Sequence, residues 1–143
     1  MRFIIRNIET TDWSDEYFAL LSQLTLAPQI TQIDFIDWIK NLNTNHQVLI
    51  MIDTSINKII GSGTIYIENK LIHNKGKVAH IEDIVTHNLY RGQGLGKELI
   101  DKLVKIANDK SCYKVILDCI EDKKGFYSKC GFDFKGIQMA KYF

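Results

Sequence analysis

The chain has 143 residues, 45% hydrophobic and 24% charged, the proportions of one folded domain rather than of a disordered or fibrous polymer. Its formal net charge of +1 gives no field that would gather nucleic acid or an anionic membrane, so an anionic ligand has to be held by a local set of donors. The cysteines Cys112, Cys119 and Cys130 suit neither a disulfide framework nor a four-cysteine zinc site and point to reduced thiols in the cytoplasm, and no stretch reads as a signal peptide or membrane span.

A lone proline, Pro28, and the lack of any linker-like stretch leave residues 1–143 as a single domain. Residues 3–8 mix β-branched and aromatic types ahead of a polar segment, which predicts a strand and a turn. Trp13, Tyr17, Leu20, Leu21 and Leu24 recur at helical spacing until the interruption around Pro28. Thr31 followed by Asp34 reads as a helix cap, and Ile33, Ile36, Trp38, Ile39 and Leu42 continue a second helix. Residues 48–52 and 59–68 predict strands joined by a turn at 55–57, with Gly61 and Gly63 inside the second. After a turn at 74–76, residues 78–85 form a third strand of this group. Leu95, Leu99, Leu103 and Ile106 mark a strong helix to about residue 110. Residues 115–117 then read as a buried strand, 123–129 as a short helix and 132–139 as a closing strand. The order β-α-α-β-β-β-α-β-α-β, a meander followed by a βαβ crossover, predicts a layered α/β (α+β) domain with a mixed, mostly antiparallel sheet.

The most informative stretch is Arg91-Gly92-Gln93-Gly94-Leu95-Gly96-Lys97, between a strand and the strong helix. Glycines let backbone N–H groups approach a ligand, and a helix N-terminus adds free donors and partial positive charge, a combination suited to pyrophosphate. The spacing is not the G-x-G-x-x-G of dinucleotide folds, and Glu98 stands where a nucleotide triphosphatase loop needs Ser or Thr. It fits Arg/Gln-x-x-Gly-x-Gly/Ala through Arg91, Gly94 and Gly96.

On these residues the chain resembles the GNAT superfamily of coenzyme A-dependent N-acetyltransferases. Within it, the chain is similar to the eukaryotic glucosamine 6-phosphate N-acetyltransferases. That closer similarity rests on Lys70-Leu71-Ile72-His73, His80-Ile81-Glu82-Asp83-Ile84, Tyr113-Lys114 through Asp118-Cys119, Gly125-Phe126-Tyr127 and Lys129-Cys130-Gly131-Phe132. The resemblance implies a GNAT-like fold, acetyl-coenzyme A as co-substrate, an amino-sugar phosphate as acceptor, a homodimer and no metal. It implies that the loop amides hold the pyrophosphate, and that backbone groups of Ile84 and Val85 meet the acetyl and pantetheine parts of the coenzyme. Tyr127, with Gly125 nearby, would serve the departing thiolate. Asp118 would face the amine, and Thr25, Lys70, His73, Tyr113 and Lys114 would line the sugar-phosphate site.

Glu82 and Asp83 are adjacent carboxylates, and on a regular strand they point to opposite faces, so one of them is expected to face solvent or a salt bridge. The resemblance implies a bulge in this strand, which changes the carboxylate that faces the site and leaves either as the candidate base. Asp118, at the exit of a buried strand, is placed either to meet a ligand or to cap the next turn. A phenol near pKa ~10 cannot easily protonate a thiolate whose acid has pKa ~8.5, so the Tyr127 hydroxyl is expected to stabilise sulfur by donating a hydrogen bond. The family's basic tail is reduced here to Ala140-Lys141-Tyr142-Phe143, with Lys141 its only cation. Another small amine or a peptide as acceptor, and a non-catalytic acyl-coenzyme A-binding module, are the other readings.

Overall fold

In the computed structural model, which describes residues 2–143, five strands form one sheet in sequence order. They are β1 (Phe3–Asn7), β2 (His46–Asp53), β3 (Lys58–Asn69), β4 (Lys77–Thr86) and β5 (Lys114–Ile116). The first four pair antiparallel, and β5 joins β4 in parallel. The helices are α1 (Asp15–Leu21), α2 (Gln32–Lys40), the one-turn α3 (Ile72–Lys75), α4 (Leu95–Asp109) and α5 (Lys124–Lys129). A parallel pair needs a crossover, and α4 supplies it between β4 and β5.

Alternation along the strands sends side chains to two separate cores. On one face Leu49, Met51, Ile65, Ile67 and Ile81 pack beneath Leu95, Leu99, Ile100, Leu103 and Ala107 of α4. On the other, Val48, Ile50, Ile52 and Val85 pack against Tyr17, Phe18, Leu20 and Phe35 of α1 and α2. Each fully buried Leu or Ile contributes roughly 1.5–3 kcal/mol to holding these layers. The outer face of α4 is polar and carries the i,i+4 pairs Lys97–Asp101 and Lys105–Asp109.

The helix boundaries follow their caps. The Ser14 hydroxyl accepts the Tyr17 N–H at 3.2 Å, so α1 begins after Trp13, whose indole N–H instead donates to the Ile30 carbonyl at 2.9 Å. Thr31 caps α2 as its spacing predicts, accepting the Asp34 N–H at 3.1 Å. Helix α2 buries Phe35, while Ile33 and Trp38 of the expected apolar set lie exposed.

Two expectations differ: the strand expected to be buried at 115–117 is the short edge strand β5, with Lys114 and Ile116 exposed, and the closing strand is absent. Residues 132–139 have the composition of a strand, but they form none, and Phe134, Ile137 and Met139 are exposed. A strand needs a ladder partner, and among the described residues no strand pairs with the segment.

Candidate active site

The site is built on an irregularity in β4. Ser62 of β3 lies opposite Val85, and Thr64 lies opposite Glu82, so Asp83 and Ile84 together face Gly63. This is a one-residue bulge, and Asp83 absorbs it in a left-handed conformation with φ of 53°. The bulge resets the alternation. Ile84 turns toward the α4 core, and Val85 joins the core beneath α1. Gly63 makes this possible: a Cβ there would lie 2.5 Å from Ile84 Cδ1. Sequence reasoning noted Gly63 inside the strand but missed its role, although a glycine in a strand interior is a recognised sign of a bulge.

Next to the bulge the sheet opens. Strand β5 pairs with β4 only through Val78, Ala79 and His80. Beyond that point the β5-facing edge of β4 has no strand partner among the described residues, and alternate N–H and C=O groups near Ile84 and Val85 face the gap.

Strand β4 leads through the 3-10 turn Asn88–Tyr90 to the glycine loop. Gly92 and Gly94 have φ of 78° and 81°, the left-handed region that suits glycine. Gly94 is the N-cap of α4, with no side-chain cap, and the Glu98 N–H makes the first intrahelical bond, to the Gly94 carbonyl at 3.2 Å. The first-turn amides of Leu95, Gly96 and Lys97 therefore lie ahead of the intrahelical ladder, and they are suited to an anion. The side chains near them have other tasks. The Arg91 Nε donates to the Thr86 carbonyl, the Lys97 ammonium is held by Asp101, and Gly96 makes room for Phe126 of α5. Gln93 is exposed.

The chemistry-bearing side chains fall into two groups. At the bulge, Asp83 lines a cavity of about 180 Å³ with Leu21 at the end of α1 and Leu24, Thr25 and Ala27 of the α1–α2 connection. Glu82 is close enough to Asp83 and Asp118 to feel both charges. Burial, then those two carboxylates, push its carboxyl up from the ordinary range, and His80 partly offsets them. Tyr127, half-buried on α5, packs edge-on to Phe126 and Phe132. Its phenol is pushed up by burial and by Cys119 and Cys130. A phenol shifted in that direction is a poorer acid but still a hydrogen-bond donor.

The second group lies at the opposite end of β4. His73 stacks on Tyr113 with ring centroids 4.5 Å apart, and the Lys114 ammonium lies 5.7 Å from the Tyr113 ring. His73, Asn74 and Lys75 all have positive φ, a left-handed turn that carries His73 toward Tyr113. Lys114 pairs with Val78, four residues from Glu82 along β4, or about 13 Å at a rise of ~3.3 Å per residue. The expected sugar-phosphate residues are thus not all together: Thr25, Glu82, Asp83 and Asp118 gather at one end, and His73, Tyr113 and Lys114 at the other. Lys70 is committed to Glu68, at 2.8 Å, and Glu68 also meets His80 at 3.0 Å. Lys141 lies in the exposed tail near Phe143.

The larger cavity, about 330 Å³, is lined by Arg6, Asp12, Glu16 and neighbouring residues and holds none of the expected site residues. Its arginine is already held by Asp12 through two hydrogen bonds of 2.8 Å. The bulge, the open edge of β4 and the carboxylates lie together, directly upstream of the glycine loop and the uncapped start of α4.

Comparison with known proteins identifies the family and the fold. The profile of the acetyltransferase (GNAT) family matches residues 5–132. Glucosamine 6-phosphate N-acetyltransferase 1 of Dictyostelium discoideum is 41% identical over 140 residues, covering 96% of this chain and 88% of that protein. The glucosamine 6-phosphate N-acetyltransferase of Arabidopsis thaliana is 38% identical over 144 residues, covering 99% and 97%. A crystal structure of the glucosamine-6-phosphate N-acetyltransferase from Arabidopsis thaliana superposes with a TM-score of 0.96 at 37% identity, covering 100% of this chain and 99% of that one.

Proposed function

The chain belongs to the GNAT family of acetyltransferases, and from that premise we propose that it transfers acetyl from acetyl-coenzyme A to the amine of D-glucosamine 6-phosphate. The products are N-acetyl-D-glucosamine 6-phosphate and coenzyme A. The observation that carries this reading is the bulge at Asp83, which opens β4 directly upstream of an uncapped helix N-terminus. Pyrophosphate rests on the amides at the start of α4, and the pantetheine arm runs along the free edge of β4 at Ile84 and Val85.

The neutral amine attacks the thioester carbonyl while both substrates are bound, so orientation contributes much of the rate. A carbon–nitrogen bond forms, and backbone N–H groups at the bulge stabilise the oxyanion. The amine proton leaves through water to Glu82, whose raised pKa suits a base working near neutral pH. Asp118 and Asp83 orient the amine. When the carbon–sulfur bond breaks, the Tyr127 hydroxyl donates to the departing thiolate.

We assign the 6-phosphate to Tyr113, Lys114 and His73 of a second copy, because about 13 Å of backbone separates Lys114 from the carboxylates of its own chain. The apolar tail is consistent with such a homodimer: Ile137, Met139 and Tyr142 are exposed, and so is Phe134, whose ring meets the Lys124 ammonium at 5.1 Å. The reduced cysteines fit a cytoplasmic enzyme, and the product would feed UDP-N-acetylglucosamine synthesis.

Thiol release from acetyl-coenzyme A with a panel of amines tests the assignment. Two phosphate contacts, each worth roughly 1.5–3 kcal/mol, should favour glucosamine 6-phosphate over glucosamine by about a hundredfold or more in kcat/KM. Equal efficiency for the two sugars would refute the acceptor and leave the acetyl transfer standing.

A further inference from the structure

Two bodies frame the cleft, and they come from distant parts of the chain. The α1–α2 connection supplies Leu24, Thr25 and Ala27 to the cavity beside Asp83. It is laced to itself and to α1. The Ser22 hydroxyl donates to the Ala27 carbonyl at 3.3 Å, the Gln29 amide to Asp15 at 2.7 Å and the Trp13 indole to Ile30 at 2.9 Å. The Asn88–Tyr90 turn, which delivers the chain into the glycine loop, is anchored from below. The His87 N–H donates to the Ile60 carbonyl at 2.8 Å, and the Tyr90 hydroxyl to the buried Asp53 at 3.4 Å.

A single hydrogen bond among the described residues joins these bodies. The Asn88 N–H donates to the side-chain carbonyl of Gln23 at 2.8 Å, across 65 residues of sequence. Gln23 is half-buried, although its neighbours Ser22, Leu24, Thr25 and Leu26 are exposed. The bond fixes the wall that carries Thr25 to the turn that presents the coenzyme loop.

We propose that Gln23 is a positioning residue that couples the two substrate sites. Coenzyme A resting on the loop amides holds the Asn88 turn in one place, and Gln23 passes that constraint to the wall facing Asp83. The amine then meets a formed cavity only when the coenzyme is bound, and by reciprocity a bound amine tightens the coenzyme. This inference rests on the proposed acetyl transfer.

The test compares Gln23→Leu, which removes the acceptor at similar size, with Gln23→Glu, which keeps an acceptor oxygen. Amide hydrogen exchange over residues 22–31 is followed with and without saturating coenzyme A. Exchange should slow on binding in the wild-type chain and in Gln23→Glu, and stay unchanged in Gln23→Leu, which should still bind coenzyme A within about threefold of wild type. In turnover, Gln23→Leu should raise the KM for glucosamine 6-phosphate about fivefold or more, the lower range of ordinary coupling, with kcat within about twofold. Protection that persists in Gln23→Leu, protection missing from the wild-type complex, or a Gln23→Glu variant that behaves like Gln23→Leu would each overturn the coupling. Loop protection without turnover of any amine would uphold the coupling and refute the proposed reaction. If the wild-type chain binds no coenzyme A, both readings fall together.

Discussion

At the C-terminal end of β4 the chain builds its candidate site alone: a bulge, an open edge, an uncapped helix and three carboxylates, all from segments that pack within one molecule. At the N-terminal end, His73, Tyr113 and Lys114 form a cationic and aromatic cluster, with Lys70 nearby already neutralised by Glu68. In the proposed reaction, the first end would serve acetyl transfer from one chain, and the second would choose the acceptor together with a neighbouring copy. Catalysis and specificity should therefore respond to different perturbations.

The largest effect is expected at Glu82. A general base contributes about 10²–10⁴-fold, so Glu82→Gln should lower kcat by that order near neutral pH. In the wild type, activity should be lost as pH falls through a value above the ordinary glutamate range, because burial, Asp83 and Asp118 favour the protonated carboxyl. Stability runs the opposite way. A raised folded-state pKa means that ionisation weakens the fold, a penalty present at neutral pH and gone below the unfolded value of about 4.3. Glu82→Gln should raise Tm at neutral pH and leave it unchanged at low pH. An acid limb that survives in Glu82→Gln would assign the base to another group.

Tyr127→Phe keeps the ring against Phe126 and Phe132 and removes a donor needed only as sulfur departs. We expect kcat to fall about ten- to a thousandfold, for ~1.4–4 kcal/mol, with both KM values little changed. An acetyl donor with a more acidic thiol should recover part of the loss. Normal turnover would make Tyr127 a packing residue.

At the other end, Lys114→Ala should lower kcat/KM for glucosamine 6-phosphate about tenfold or more, the worth of one charge-assisted hydrogen bond. It should leave glucosamine itself and the coenzyme KM unchanged. If both sugars suffer alike, the division between the two ends fails.

The smallest effect concerns the support of the bulge. A methyl at Gly63 would meet Ile84 Cδ1 at 2.5 Å, Leu103 Cδ1 at 3.2 Å and Leu99 Cδ2 at 3.3 Å, all ends of side chains that can shift. Gly63→Ala should destabilise by about 1–3 kcal/mol in denaturant melts and raise the acetyl-coenzyme A KM several-fold through a displaced Ile84. An unchanged KM would separate the packing of Ile84 from the coenzyme edge.

The parts of the fold that the sequence reveals are those governed by nearest neighbours along the chain. Leu95, Leu99 and Leu103 announce α4 by their spacing, Thr31 announces the cap of α2, and the glycines at 92, 94 and 96 announce the loop. The bulge is less legible, because Asp83 is not a residue type that signals a left-handed conformation strongly, and its partner Gly63 is 20 positions away. The expected strand at 132–139 reads correctly as composition but depends on a partner that no local pattern supplies. Lys70 is misleading for the opposite reason: its partner Glu68 is close in sequence, but only the placement of His80 across the ladder fixes that carboxylate.

The register around Asp83 has an evolutionary consequence. If Asp83 alone were deleted, Ile84 would still face Gly63 and Val85 would still face Ser62, with every later side chain in its present layer. The two cores would not register the loss, and β4 would become an ordinary uninterrupted strand. The bulge is thus one codon inserted into a strand whose layering is complete without it, so a single in-frame event could create or erase it without reversing any other side chain of β4.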